Sequence, residues 1–289
     1  MSTTPLIQLS NLCPDRQIYA KCEFVALSGS FKIRGALNLL RQLTQTSSNR
    51  LLVVPSMGNT ALGAAVAAHE FGFRMVGVVP QTISRAKDEK LRALNVELVK
   101  IAGGGSDLLE QAPRIAEERG AYLVHPHLDP SWTDGYQAIV AEILEDLPEC
   151  RSLVIPVGGG GLLMGITKYL LEHPARLQLF GCEALNYPTY ARFTHARSKT
   201  IADGLCLEVP HPIVQERISE LKIELALVSD ADIRTAMRDL YVRQALIVEP
   251  SSAITVAAVR SLGDKLAEPV CVVLTGENIA REDFQCSIA

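Results

Sequence analysis

Short apolar runs alternate with helical periods along the first half of the chain. Leu51-Leu-Val-Val54, Met75–Val79, Val96–Ile101 and Tyr122–Val124 each predict a buried strand. Between them, Thr60–Phe71 reads as an alanine-rich helix closed by Gly72, Ser84–Leu94 as a second helix, and Asp107–Arg119 as a third ending at Gly120. Continuous apolar runs, rather than alternating ones, mark strands covered on both faces, so this rhythm predicts an open parallel α/β sheet. Past the turn-rich segment His125–Pro130 a long helix is expected to begin near Asp134. Leu153–Val157, Leu179–Glu183 and Val270–Leu274 predict further buried strands, and Asp230–Arg243 and Ser251–Leu262 further helices. No internal repeat, low-complexity tract or Gly/Ser linker interrupts the pattern.

The 289 residues suffice for one large domain or two modest ones. A net charge of −4 leaves no basic footprint, so nucleic acid is not an expected partner. The most apolar long stretch, Leu51–Ala68, is broken by Pro55, Ser56, Gly58 and Asn59. It therefore reads as strand, loop and helix rather than a membrane span, and no membrane partner is expected. The start, MSTTPLIQLSNL, lacks the basic residues and long apolar core of a signal peptide. Seven cysteines, odd in number and without a CxxC pair, argue against a disulfide framework or zinc site. Reduced thiols in a cytoplasmic protein are the expectation.

Four segments carry candidate chemistry. In Ser28-Gly-Ser-Phe-Lys-Ile-Arg-Gly-Ala36, Lys32 lies among small and apolar residues at a loop-to-helix junction. Desolvation there lowers a lysine pKa and frees the amine for imine formation. The same spacing equally suits a helix capped by Ser28 or Ser30 with a solvated lysine. Val157-Gly-Gly-Gly-Gly-Leu162 follows a strand and precedes a helix, so its amides and the helix N-terminus suit a phosphate. It has neither a Walker lysine nor GxGxxG spacing, and a flexible turn is the plainer alternative. Pro55-Ser-Met-Gly-Asn-Thr60 offers Ser56, Met57, Gly58, Asn59 and Thr60 around a substrate carboxylate, or simply a turn and a helix cap. Leu274-Thr-Gly-Glu-Asn278 ends a strand where open α/β sheets meet ligands, which places Thr275 well; a strand-end turn is equally in keeping.

In this order, from Thr4-Pro-Leu6 to Leu274-Thr-Gly276, the segments resemble the fold-type II, or β-family, pyridoxal-phosphate (PLP) enzymes. The resemblance implies two open parallel-type α/β sheet domains, tryptophan synthase β-like, with the cofactor in the cleft between them. A large PLP-binding domain is expected over 1–45 and 131–289, and a small mobile domain over 46–130. It also implies that Lys32 holds the cofactor as a Schiff base. Asn59 would contact the phenolic oxygen, Gly158, Gly159, Gly160 and Gly161 with Leu162 the phosphate, and Thr275 the pyridine nitrogen.

Within the family, Gly29–Asn38, the tetraglycine loop and Thr200-Ile-Ala-Asp-Gly204 resemble threonine/serine dehydratases and serine racemases. Gly58-Asn-Thr60, Glu249-Pro-Ser-Ser-Ala253 and Leu274-Thr-Gly276 lean toward threonine synthase-like members. Where dehydratases carry a GQGT loop, this chain has Gly135-Tyr-Gln-Ala138. Racemases place an acid/base serine before the GN pair; Met57 stands there and exchanges no proton. The racemase metal site pairs a glutamate with an aspartate six residues on, but Glu183 is followed by Thr189, so no metal is expected. The expectation is therefore β-elimination on a small hydroxy amino acid by a PLP-dependent lyase. Replacement synthase is the main rival, ahead of a racemase or a silent PLP-binding protein. The expected partners are a small amino-acid substrate and a second copy in a homodimer. Trp132 is expected at the domain junction.

Overall fold

The computed structural model describes residues 3–56, 58–83, 85–191 and 198–289. Met57, a candidate substrate contact, and Ser84, the expected start of a helix, lie outside the described residues. In chain order the elements are β1 (Leu6–Gln8), β2 (Ile18–Cys22), α1 (Lys32–Thr46), β3 (Leu51–Pro55), α2 (Asn59–Phe71), β4 (Arg74–Pro80), α3 (Arg85–Ala93) and β5 (Glu97–Ile101). They continue with α4 (Gly105–Arg119), β6 (Tyr122–Leu123), α5 (Pro130–Thr133), α6 (Gln137–Asp146), β7 (Ser152–Pro156), α7 (Gly161–Glu172) and β8 (Gln178–Ala184). The chain closes with α8 (Pro212–Glu220), β9 (Glu224–Val228), α9 (Asp230–Gln244), α10 (Pro250–Leu262), β10 (Val270–Leu274) and α11 (Arg281–Ile288).

Two compact units emerge, residues 26–136 and residues 1–25 with 137–289. These borders differ from the expected 46–130 and 1–45 with 131–289. Helix α1 groups with the smaller unit because it packs against α2, and the Pro130–Tyr136 segment does so because Trp132 packs against Gly35 of α1. Trp132 is thus a core residue of the smaller unit.

The smaller unit holds a four-stranded parallel sheet in the order β5-β4-β3-β6. Its strands are the apolar runs read from the sequence. Left-handed Gly72 and Gly120 end α2 and α4, as the glycine positions predicted.

The larger unit holds a six-stranded sheet in the order β1-β2-β10-β7-β8-β9, parallel except for β1, which runs antiparallel to β2. Strands β7 and β10 are buried along their whole length, which is why they read as unbroken apolar runs. Helix α10 lies over the sheet with nearly every residue buried. A buried charge hides β2 from a hydropathy reading. Lys21 is fully buried, with Nζ 2.7 Å from Glu142 of α6, and it also donates to the Thr4 carbonyl at 2.7 Å. The Thr4 hydroxyl in turn donates to buried Glu23 at 2.6 Å.

Cys22, Cys150, Cys182 and Cys271 are buried, whereas Cys206 and Cys286 are exposed. Burial raises the Cys22 thiol from 9.0 to about 12 and Cys150 to about 11, and pushes Cys182 and Cys271 well above 9.0. A thiol reagent should therefore modify Cys206 and Cys286 in the native protein, and the four buried thiols only after unfolding. Unfolded thiols ionise near 9, while the folded ones resist. Their contribution to stability is thus complete below about pH 9 and declines as pH rises toward about 12. Urea midpoints from about pH 8 to about pH 11 check this, and a level midpoint over that range would refute it.

Candidate active site

In the smaller unit, Lys32 is the first residue of α1 and is half-buried. Ser56 and Gly58 lie between β3 and α2. There the Ser56 hydroxyl accepts the Gly58 amide at 3.2 Å, a local turn that presents the start of α2. Asn59 opens α2, half-buried, and Thr60 is buried. Gly63, one turn further on, lies against the start of α1: a Cβ there would stand 2.9 Å from the Ile33 nitrogen and from the Lys32 carbonyl carbon. The fold thus brings the Lys32 segment and the helix that begins at Asn59 together within one unit. Two positions before Lys32, the fully buried Ser30 hydroxyl has no hydrogen-bond partner among the described residues.

The larger unit carries the remaining predicted residues. The glycine run Gly158–Gly161 leaves the carboxyl end of β7 and enters α7, with Leu162 buried in the first turn. A Cβ on Gly158 would stand 2.9 Å from the Leu205 Cα, so only glycine lets this loop lie against the 203–205 turn. Thr275, buried, follows directly on β10.

Motifs that pointed two ways in the sequence converge on the start of α10. The Ser251 hydroxyl accepts the Gly204 amide at 3.1 Å, and the Glu249 amide donates to the Gly276 carbonyl at 3.0 Å. The other end of the Thr200–Gly204 stretch is tied to Asp230, which accepts from the Thr200 hydroxyl at 2.5 Å and the Ile201 amide at 3.1 Å. The dehydratase-like stretch and the synthase-like EPSSA and LTG segments therefore form one hydrogen-bonded support for the glycine loop and for the strand end at Thr275. Sequence reasoning missed this because the bonds run largely through backbone amides.

Glu183 is buried, and its two oxygens accept the amides of Thr189, Tyr190 and Ala191 at 3.1, 2.9 and 2.8 Å. This carboxylate thus orders the loop after β8. No group of three or more His, Cys, Asp or Glu side chains able to hold a metal ion occurs among the described residues. Nor is any helix among them long and apolar enough to cross a membrane.

Residues 1–276 match the family model described as pyridoxal-phosphate dependent enzyme. The chain belongs to that family. As a PLP-dependent enzyme it is 33% identical over 270 residues to the L-threonine ammonia-lyase of Thermotoga maritima, covering 91% of this chain and 67% of the relative. It is 30% identical to the catabolic L-threonine dehydratase TdcB of Staphylococcus aureus, covering 96% of this chain and 84% of the relative. Its fold is that of the processed form of threonine deaminase isoform 2 from Solanum lycopersicum, with a TM-score of 0.91 at 24% identity over 99% of this chain and 82% of that one. The residues present suit the cofactor. A glycine run at a helix N-terminus suits a phosphate, and a buried hydroxyl without a partner among the described residues stands two positions before the candidate lysine.

Proposed function

We propose that the protein catalyses β-elimination on a small hydroxy amino acid, namely serine, threonine or an O-activated derivative, yielding a 2-oxo acid and ammonia. The observation that carries this reading is 33% identity, over 91% of the chain, to an enzyme named L-threonine ammonia-lyase. In this reading Lys32 would hold the cofactor and, as a free amine, would take the proton from the substrate Cα. The bound cofactor supplies an electron sink for the carbanion left at Cα. Gly158, Gly159, Gly160 and Gly161, with the Leu162 amide, would hold its phosphate by backbone donors at the start of α7. Asn59 would donate to its phenolic oxygen, and Thr275 would meet its pyridine nitrogen. The Ser56, Met57, Gly58, Asn59 and Thr60 positions would hold the substrate carboxylate.

Offering the purified, PLP-loaded protein serine, threonine and their O-acetyl and O-phospho derivatives, with and without a thiol or amine, tests this directly. Oxo acid and ammonia formed without a nucleophile support elimination. A product formed only with one moves the assignment to a replacement synthase, which the Gly58-Asn-Thr60 and Glu249–Ala253 segments favour. Met57, which carries no exchangeable proton, stands in the sequence where racemases have an acid/base serine, and this ranks racemisation low. A cytoplasmic location and a homodimeric assembly accompany this reading on the strength of the resemblance, and sizing of the purified protein checks the second.

A further inference from the structure

A flexible four-carbon stem can aim its amine in many directions, so a lysine that must meet one atom needs walls. Two rings supply them here. Lys32 Nζ lies 4.8 Å from the centroid of the Phe31 ring and 6.0 Å from that of Tyr136, so the two rings bound the space in which the amine can turn. The two rings are themselves in contact, with centroids 4.8 Å apart and planes at 50°. Tyr136 is fully buried, and its oxygen accepts the Trp132 indole N–H at 2.5 Å, so the phenol is tethered from within its own turn. Burial pushes the Tyr136 hydroxyl far above its usual pKa, so the ring stays neutral.

The backbone beneath is fixed just as closely. A Cβ on Gly135 would stand 2.4 Å from the Arg34 carbonyl oxygen and 2.9 Å from the Gly35 Cα; one on Gly35 would stand 2.5 Å from the Trp132 indole nitrogen. The first turn of α1 and the Trp132–Tyr136 segment thus meet backbone to backbone, while Gly63 closes on Lys32 from α2. This position in the sequence is where the chain departs from the dehydratase loop, with Tyr136 inside Gly135-Tyr-Gln-Ala138.

We propose that Tyr136, tethered by Trp132 and backed by Phe31, is a positioning residue that sets the direction of the Lys32 amine. The proposal rests on Lys32 being the attachment lysine. In attachment the neutral amine adds to the cofactor aldehyde, a carbon–nitrogen bond forms, and one water leaves. A ring that holds Nζ at one bearing raises the rate of that addition without altering affinity for the phosphate.

The test compares wild type with Tyr136→Leu, Tyr136→Phe and Lys32→Ala, each shown to be folded by its melting transition. PLP is added to the apoprotein, samples are quenched with borohydride over time, and the modified peptide is located by mass. Tyr136→Leu should slow modification at residue 32 about tenfold and lower kcat by a similar factor, with KM changed less than about threefold. Tyr136→Phe keeps the ring but loses the Trp132 tether, so both rates should recover part of the way, to within about fivefold of wild type. Wild-type rates in Tyr136→Leu, or a Tyr136→Phe defect as large as that of leucine, overturn the brace. Wild-type modification at a lysine other than 32, retained in Lys32→Ala, overturns the underlying assignment instead.

Discussion

Replacing Lys32 with alanine is expected to reduce turnover of serine or threonine by about 10³-fold or more while leaving the melting temperature close to wild type. The two halves of this expectation have separate causes. In the proposed function the side chain is both the attachment point and the group that takes the Cα proton, so no second residue would cover its loss. Its contribution to folding is small by comparison, because it is half-buried at the first position of α1 and alanine is the strongest helix former. Steady-state assays of oxo-acid release, run beside a thermal melt, separate loss of chemistry from loss of fold. Turnover within about tenfold of wild type would sink the assignment.

The second large effect concerns stability. Gly135→Ala would drive a methyl to 2.4 Å from the Arg34 carbonyl oxygen and close to the Gly35 Cα, both backbone atoms that no rotamer change can move aside. Overpacking of this kind should cost about 3 kcal/mol, or a fall in Tm of about 5–10 °C. Gly105→Ala, where nothing lies within 4 Å of the added carbon at the start of α4, provides the control and should be neutral or slightly stabilising. Matching melts for the two variants would show that the close approach between α1 and the Trp132–Tyr136 segment is not tight in solution.

The parallel sheets were legible because β3, β4, β7 and β10 are buried on both faces and so appear as plain apolar runs. Strand β2 was not legible, since its buried Lys21 is matched by Glu142, a partner far along the chain that local pattern cannot supply. Strands β1 and β9 lie at the sheet edges and are only partly buried, which blurs their signal. The lysine, GN, tetraglycine and LTG segments stood out individually because their residue types carry chemistry. What joins them did not. The Gly204 amide on Ser251, the Gly276 carbonyl on Glu249 and the Gly63 contact with Lys32 are backbone relations without a residue-type signature. Tyr136 was visible only as a departure from a familiar loop; the Trp132 hydrogen bond gives that departure its meaning.

The shared anchorage at the start of α10 bears on how such an enzyme changes specialty. Ser251 and Glu249 sit two residues apart and hold, through Gly204 and Gly276, the turn behind the glycine run and the strand end at Thr275. A graft that imports any one of these segments from a relative would arrive without its counterparts and lose registry with both neighbours. Libraries meant to redirect the chemistry should therefore vary Thr200–Gly204, Glu249–Ala253 and Leu274–Gly276 as a single inherited block.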